Sequence, residues 1–179
     1  LLPEVSAAMS EVEHLAFANP SSPHWAGRDA RILLEDSREK LAQALGAKSQ
    51  EIFFTSGGSE SNNTVLRQLL MTSGEKHIIS SAVEHPSVLE TCRILAEQQN
   101  IQFTELAVDS SGTLAPDDLS AAIRPETKLI SLISANNETG KLQSIAELTK
   151  IAQQQQIPFH TDIAQPCGKI ERSEERRVG

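Results

Sequence analysis

Four short loops of this 179-residue chain hold the residues whose types and spacing could do chemistry. The first, TSGGSESNN from Thr55 to Asn63, sets Gly57, Gly58 and Ser59 among small hydroxyls just ahead of a helical pattern. Backbone N–H groups at such a helix start can cradle a phosphate, assisted by the helix dipole. An ordinary glycine-rich turn reads the same way, since no Gly-Lys-Ser/Thr follows and neither GxGxxG nor GxSxG is present. The second loop, VEHPS, puts His85 directly before a proline-opened helix. The third, ANNETG from Ala135 to Gly140, crowds Asn136, Asn137 and Glu138 into one short turn of ordinary turn residues. The fourth, HTDIAQ, offers His160, Asp162 and Gln165. A carboxylate closing a buried strand is costly to leave alone, so Asp162 requires a cationic or N–H partner.

The elements that must position these loops follow from periodicity. A weak helix is predicted over residues 3–15, and then NPSSPHWAG, from Asn19 to Gly27, is a loop. Ala30, Leu33, Leu34, Leu41, Ala44 and Leu45 form one stripe of an amphipathic helix running from Arg28, with Gly46 as its C′ residue. From there strand and helix alternate. Strands are expected at 51–56 (EIFFTS), 77–80, 101–106, 128–134 and 157–162, and helices at 59–70, 86–98, 116–123 and 144–155. Pro116 suits a first helical turn, Asp117 and Asp118 complement its dipole, and Ser144 with Glu147 spells a capping box. This alternation predicts an α/β fold, a doubly wound and mostly parallel sheet with helices on both faces. In such sheets ligands bind beyond the carboxyl ends of the strands, where all four loops fall. A phosphate cradle, a histidine able to face a flat ring, amides and a buried carboxylate together suit a phosphorylated, protonatable heteroaromatic. Pyridoxal 5′-phosphate has that chemistry, with a ring nitrogen that takes an acidic partner and an aldehyde that takes a Lys.

Composition narrows the classes further. Lys plus Arg number 16 against 24 Asp plus Glu, a net charge of -8, which opposes a grip on a nucleic-acid backbone. Aromatics are 3% and Tyr is absent, so a base-stacking platform is not expected either. With only Cys92 and Cys167, and no paired His spacing, neither a disulfide framework nor a metal site is expected. Cys92 shares an apolar stripe with Val88, Leu89, Leu95 and Ala96 and reads as core, while Cys167 reads as incidental. No apolar run reaches membrane-spanning length and no basic-then-apolar leader opens the chain, so a cytoplasmic protein without membrane contact is expected.

In sequence order the blocks NPSSPHWAGRDAR, EIFFTSGGSESNN, HIISSAVEHPSVL, ISANNETGKLQSI and FHTDIAQPCGK resemble the class V aminotransferase group of fold-type I pyridoxal-phosphate enzymes. Within it, NNETG and EHPSV resemble the NifS/IscS-like cysteine desulfurases. The resemblance implies that Gly58 and Ser59 hold the cofactor phosphate, that His85 stacks on the ring and assists proton transfer, and that Asn137 and Gln165 address its phenolic oxygen. Asp162 would pair with the pyridine N–H. It further implies L-cysteine as substrate, L-alanine and an enzyme persulfide as products, a sulfur-acceptor or scaffold protein as partner, and a homodimer. The alternatives are another class V enzyme, such as a selenocysteine lyase or an aminotransferase, or a non-catalytic remnant that binds the cofactor or a protein. The family's Schiff-base Lys and sulfur-accepting Cys fall beyond the matching blocks, so residues 1–179 are expected to be an inactive fragment. Residues 1–27 are expected to be an N-terminal helix and loop, and 28–170 the cofactor-binding portion. The charge cluster at 171–179 has no apolar period and resembles a translated sequencing adapter, so a non-native tail is expected there.

Overall fold

The computed structural model describes residues 2–169, and the tail expected at 171–179 lies outside them. The chain divides after Phe54 into two units.

The first unit holds two helices, α1 (Pro3–Leu15) and α2 (Trp25–Leu45). The second begins at Trp25, three residues ahead of the sequence expectation, because His24 caps it: the Nδ1 atom accepts from Gly27 N at 3.3 Å. The preceding loop folds onto this first turn, with Arg31 Nε donating to Pro20 O at 3.0 Å. Gly27 is required there, since a Cβ would lie 2.4 Å from Ser22 O. At the other end Gly46 turns left-handed at φ 66° and stops the helix as its position predicts. The strand expected at 51–56 is absent. A single 3-10 turn, Ser49–Glu51, is followed by unpaired extended chain with Phe53 exposed, while the Arg38 guanidinium sits 4.9 Å from the Phe54 ring. A β-prone sequence becomes a strand only when a neighbouring strand takes up its backbone groups; among the described residues none does so here, and side chains act instead, Arg38 Nη1 donating to Ile52 O and Glu60 Oε2 accepting from Ser56 N.

The second unit carries α3 (Gly58–Arg67), β1 (His77–Ser81), α4 (Pro86–Gln99), β2 (Gln102–Leu106), α5 (Pro116–Ala122), β3 (Thr127–Ser131), α6 (Ile145–Gln154) and β4 (Phe159–His160). The strands pair in parallel in the order β2-β1-β3-β4, the doubly wound α/β arrangement that the alternation predicts. Alternation along each strand sorts two cores. Ile78 and Leu129 face α3 and α4, packing with Leu66, Val88, Cys92 and Leu95. Their neighbours Ile79 and Ile130 face α5 and α6, packing with Leu119, Leu148 and Ala152. Each fully buried Leu or Ile contributes roughly 1.5–3 kcal/mol, so both faces are needed to hold the sheet. Cys92 is fully buried in the first of these cores, as its stripe predicts. The Ser144/Glu147 capping box does not form, because Ser144 makes no side-chain cap bond and only its carbonyl accepts from Glu147 N, at 3.0 Å. Among the described residues no helix is long and apolar enough to cross a membrane.

Strand order reverses between β1 and β3: the chain moves outward from β1 to β2, then returns to the other side through β3 and β4. The crevice beyond the carboxyl ends of β1 and β3 is therefore where this topology makes room for a ligand.

Candidate active site

α3 begins on Gly58, and the N–H groups of its first turn have no acceptor within the helix. Cβ atoms built on Gly57 or Gly58 would meet nothing within 4 Å, so the space in front of this turn is open. The turn is braced from below: Thr55 Oγ1 meets Ser61 Oγ at 2.7 Å, and Glu60 Oε2 accepts from Ser56 N at 2.6 Å, which holds the Glu60 carboxyl below its ordinary range. Asn63 ties the same turn to α4, donating to Ser59 O at 3.0 Å and accepting from Thr91 Oγ1 at 3.1 Å.

One turn further along α3, Asn62 is 4% exposed and joins three elements. Its Nδ2 donates to Asp162 Oδ2, beyond β4, and to Ser87 Oγ, in the first turn of α4, both at 2.9 Å. Ser87 Oγ in turn meets His85 Nδ1 at 2.8 Å, and Ser87 N donates to the same nitrogen at 3.1 Å. With both amide hydrogens of Asn62 spent, the Ser87 hydroxyl donates to His85. The neutral imidazole then carries its proton on Nε2, which has no partner among the described residues. Asp162 Oδ1 accepts from Ala164 N at 2.9 Å. The carboxylate thus takes two N–H donors and keeps acceptor capacity for a third.

Around this chain of contacts the other candidates are placed unevenly. Asn136 spends its side chain on its own turn, accepting from Glu138 N at 3.0 Å and Thr139 N at 2.8 Å and donating to Val83 O at 2.9 Å. That leaves Asn137 exposed beside it. Gln165 is also exposed, in the turn after Asp162, where its Oε1 accepts from Lys169 Nζ at 3.5 Å. His160 points into the sheet, its Nδ1 2.8 Å from Ser131 Oγ, and burial pushes it below the ordinary histidine value. The structure therefore joins His85 to Asp162, sets Gly58 and Ser59 one turn before the joining residue, and leaves Asn137 and Gln165 exposed on flanking loops. Sequence reasoning missed Asn62 and Ser87. Only the i+4 spacing of Asn62 from Gly58, and the place of Ser87 two residues after His85, could have signalled them.

The donor set suits a cofactor with an anionic end and a cationic ring nitrogen: free helix N–H groups at one side, and a carboxylate with spare capacity at the other. Fold and site together define a class, a doubly wound α/β domain whose ligand lies at the point where strand order reverses. The family model for class-V aminotransferases matches residues 1–173, and the chain belongs to that family. The family is pyridoxal-phosphate-dependent. The cysteine desulfurase IscS of Dictyoglomus turgidum is 50% identical over 170 residues, 93% of this chain and 43% of that protein. A solved NifS-like protein superposes with a TM-score of 0.87 at 32% identity, covering 91% of this chain and 46% of its own. SspA, solved in complex with cysteine, superposes with a TM-score of 0.85 at 37% identity over 92% of this chain and 48% of its own. The chain spans less than half the length of these relatives.

Proposed function

We propose that this chain supplies the cofactor-holding part of a pyridoxal-phosphate-dependent cysteine desulfurase. The whole protein would take sulfur from L-cysteine, release L-alanine and pass the sulfur, through an enzyme persulfide, to an acceptor or scaffold protein. The observation that carries this reading is the hydrogen-bonded chain from Asp162 through Asn62 and Ser87 to His85, set one helical turn behind the open N–H groups of α3. The names of the relatives support the choice of cysteine.

In this reading the N–H groups of Gly58 and Ser59 bind the phosphate, held at the helix start by the dipole. Asp162 would pair with the ring nitrogen and keep it protonated, and Asn62 and Ala164 N hold the carboxylate in one orientation for it. His85 would lie against the ring, and its Nε2–H, without a partner among the described residues, would be the group able to exchange a proton with substrate. Asn137 and Gln165, exposed on their loops, would address the phenolic oxygen. When bound, the cofactor supplies an electron-accepting ring that stabilises negative charge on the substrate α-carbon. The homodimer and the cytoplasmic location that the resemblance and the composition suggest belong to the same proposal.

The test uses the whole protein that carries this chain, loaded with pyridoxal phosphate and given L-cysteine. Equimolar alanine and protein-bound or reducible sulfur are expected. Transfer of the amino group to a keto acid, with no sulfur released, would replace the desulfurase reading with an aminotransferase.

A further inference from the structure

The residue before His85 has no part in the reading above. Glu84 is 7% exposed, and its side chain turns into the protein. Its Oε1 accepts from Ser81 Oγ at 2.5 Å and from Ile133 N at 2.8 Å. Ser81 closes β1, and Ile133 lies two residues past the end of β3. The pairing of these strands runs only as far as Ile79 with Ile130; Ser80 Oγ donating to Ser131 O at 2.8 Å adds one link past it, and the Glu84 oxygen continues the link further, at the point where strand order reverses. The turn is gripped from its other side as well, by Asn136 Nδ2 on Val83 O at 2.9 Å.

A simple tie would not need a carboxyl in so dry a place. Glu84 Oε2 is buried with no partner among the described residues, and a carboxylate there carries a large desolvation cost. Burial, and after it the Asp162 charge, push Glu84 up to about 7. Cys92, across on α4, is pushed up to about 12 by burial and by Glu84 in turn. What the position does demand is a single acceptor oxygen of the right reach, with the turn that bears His85 hanging from it.

We infer that Glu84 is a positioning residue: its Oε1 clamps the turn carrying His85 onto Ile133, and so sets where the imidazole stands relative to Asp162. The inference rests on the cofactor reading of the site. A ring displaced by about 1 Å can lose on the order of a hundredfold in rate, so a clamp of this kind acts on turnover more than on affinity.

The experiment compares E84A, E84Q, S81A and H85A in the loaded whole protein, reading the visible absorption band of the bound cofactor, its Kd, and kcat and KM for L-cysteine. E84A is expected to shift the band in the same direction as H85A and to lower kcat at least ~10-fold, with KM within about threefold. E84Q keeps the acceptor oxygen and is expected to restore the band and bring kcat to within about threefold of wild type. S81A removes one arm of the clamp and should shift the band less, in the same sense, which keeps the test open if E84A does not fold. An unshifted band in E84A, or in S81A where E84A is lost, overturns the inference, as does an E84Q protein as damaged as E84A. If H85A itself leaves the band unchanged, the cofactor reading fails and takes the inference with it. A band shifted by H85A but not by E84A defeats the clamp alone.

Discussion

The two ends of the parallel sheet use histidine in opposite ways. At the amino ends, His77 is fully buried with both ring nitrogens engaged, Nδ1 with Thr127 Oγ1 and Nε2 with Thr104 Oγ1, each at 2.8 Å. It cross-links β2, β1 and β3, and burial, with Arg124 nearby, pushes it below the ordinary value. Beyond the carboxyl ends, His85 is half-buried and has only Nδ1 engaged, leaving the rest of its ring unspent. A ring satisfied at both nitrogens is a strut, whereas a ring held at one nitrogen is oriented and still available. Between His77 and His85 the count of partners tells a strut from a candidate for chemistry, and His160, held at one nitrogen but turned into the sheet, shows that placement must be read with the count.

The largest effect that separates the ends is expected from D162N. Cofactor should still bind, while turnover in the whole protein falls roughly 10³-fold, about 4 kcal/mol of transition-state stabilisation, with unfolding free energy lowered by only about 1 kcal/mol, because the new amide turns its NH2 toward one of the two N–H donors. Parallel cofactor titration and steady-state kinetics would show this, and an equal loss of stability would break the division. At the opposite end H77A leaves two threonine hydroxyls and a void. It should cost about 3 kcal/mol in urea unfolding while changing cofactor Kd less than about twofold. Asn62 sits between these extremes because it serves both packing and site. N62A should lose about 2 kcal/mol of stability and weaken cofactor binding about tenfold, read by denaturation and by spectral titration.

The most gradual effect is a pH slope. Glu84 stands near 7 in the folded chain against an ordinary 4.5, so between those values the folded state keeps a proton that the unfolded state has lost. Its contribution therefore falls as pH rises through that window, by about 1 kcal/mol per pH unit, and E84Q should abolish the slope in denaturation curves. His77 runs the other way. Its folded value is depressed from 6.5, so its contribution is intact above that pH and is lost as pH falls below it, and H77A should remove that acid-side loss.

The alternation of strand and helix was readable because apolar periods of two and of three to four are local properties, and Pro3, Pro86 and Pro116 mark helix starts plainly. His85 and Asp162 were readable because the doubly wound topology says in advance which strand ends matter. Asn62 was not. Its meaning lies in a bond to Asp162, 100 residues away, and nothing near Asn62 encodes that partner. Glu84 was hidden for a different reason: a carboxylate is read as solvated until burial is seen, and here it is 7% exposed. EIFFTS misled because strand propensity states what a segment could pair with, not whether a partner is at hand. The Ser144/Glu147 pattern misled because a capping box needs a backbone angle at the cap that Ser144, at ψ 61°, does not adopt.

The Asn62–Asp162 bond also fixes when the site can exist. A ribosome adding about 5–20 residues per second needs roughly 5–20 s to pass from one partner to the other, and the loop closed between them is among the entropically slower ones to form. Until β4 has docked, the open start of α3 is exposed without the carboxylate that completes it. In the proposed reading, cofactor capture would follow the docking of β4, and pyridoxal phosphate would act as a ligand that selects molecules in which the sheet has already closed.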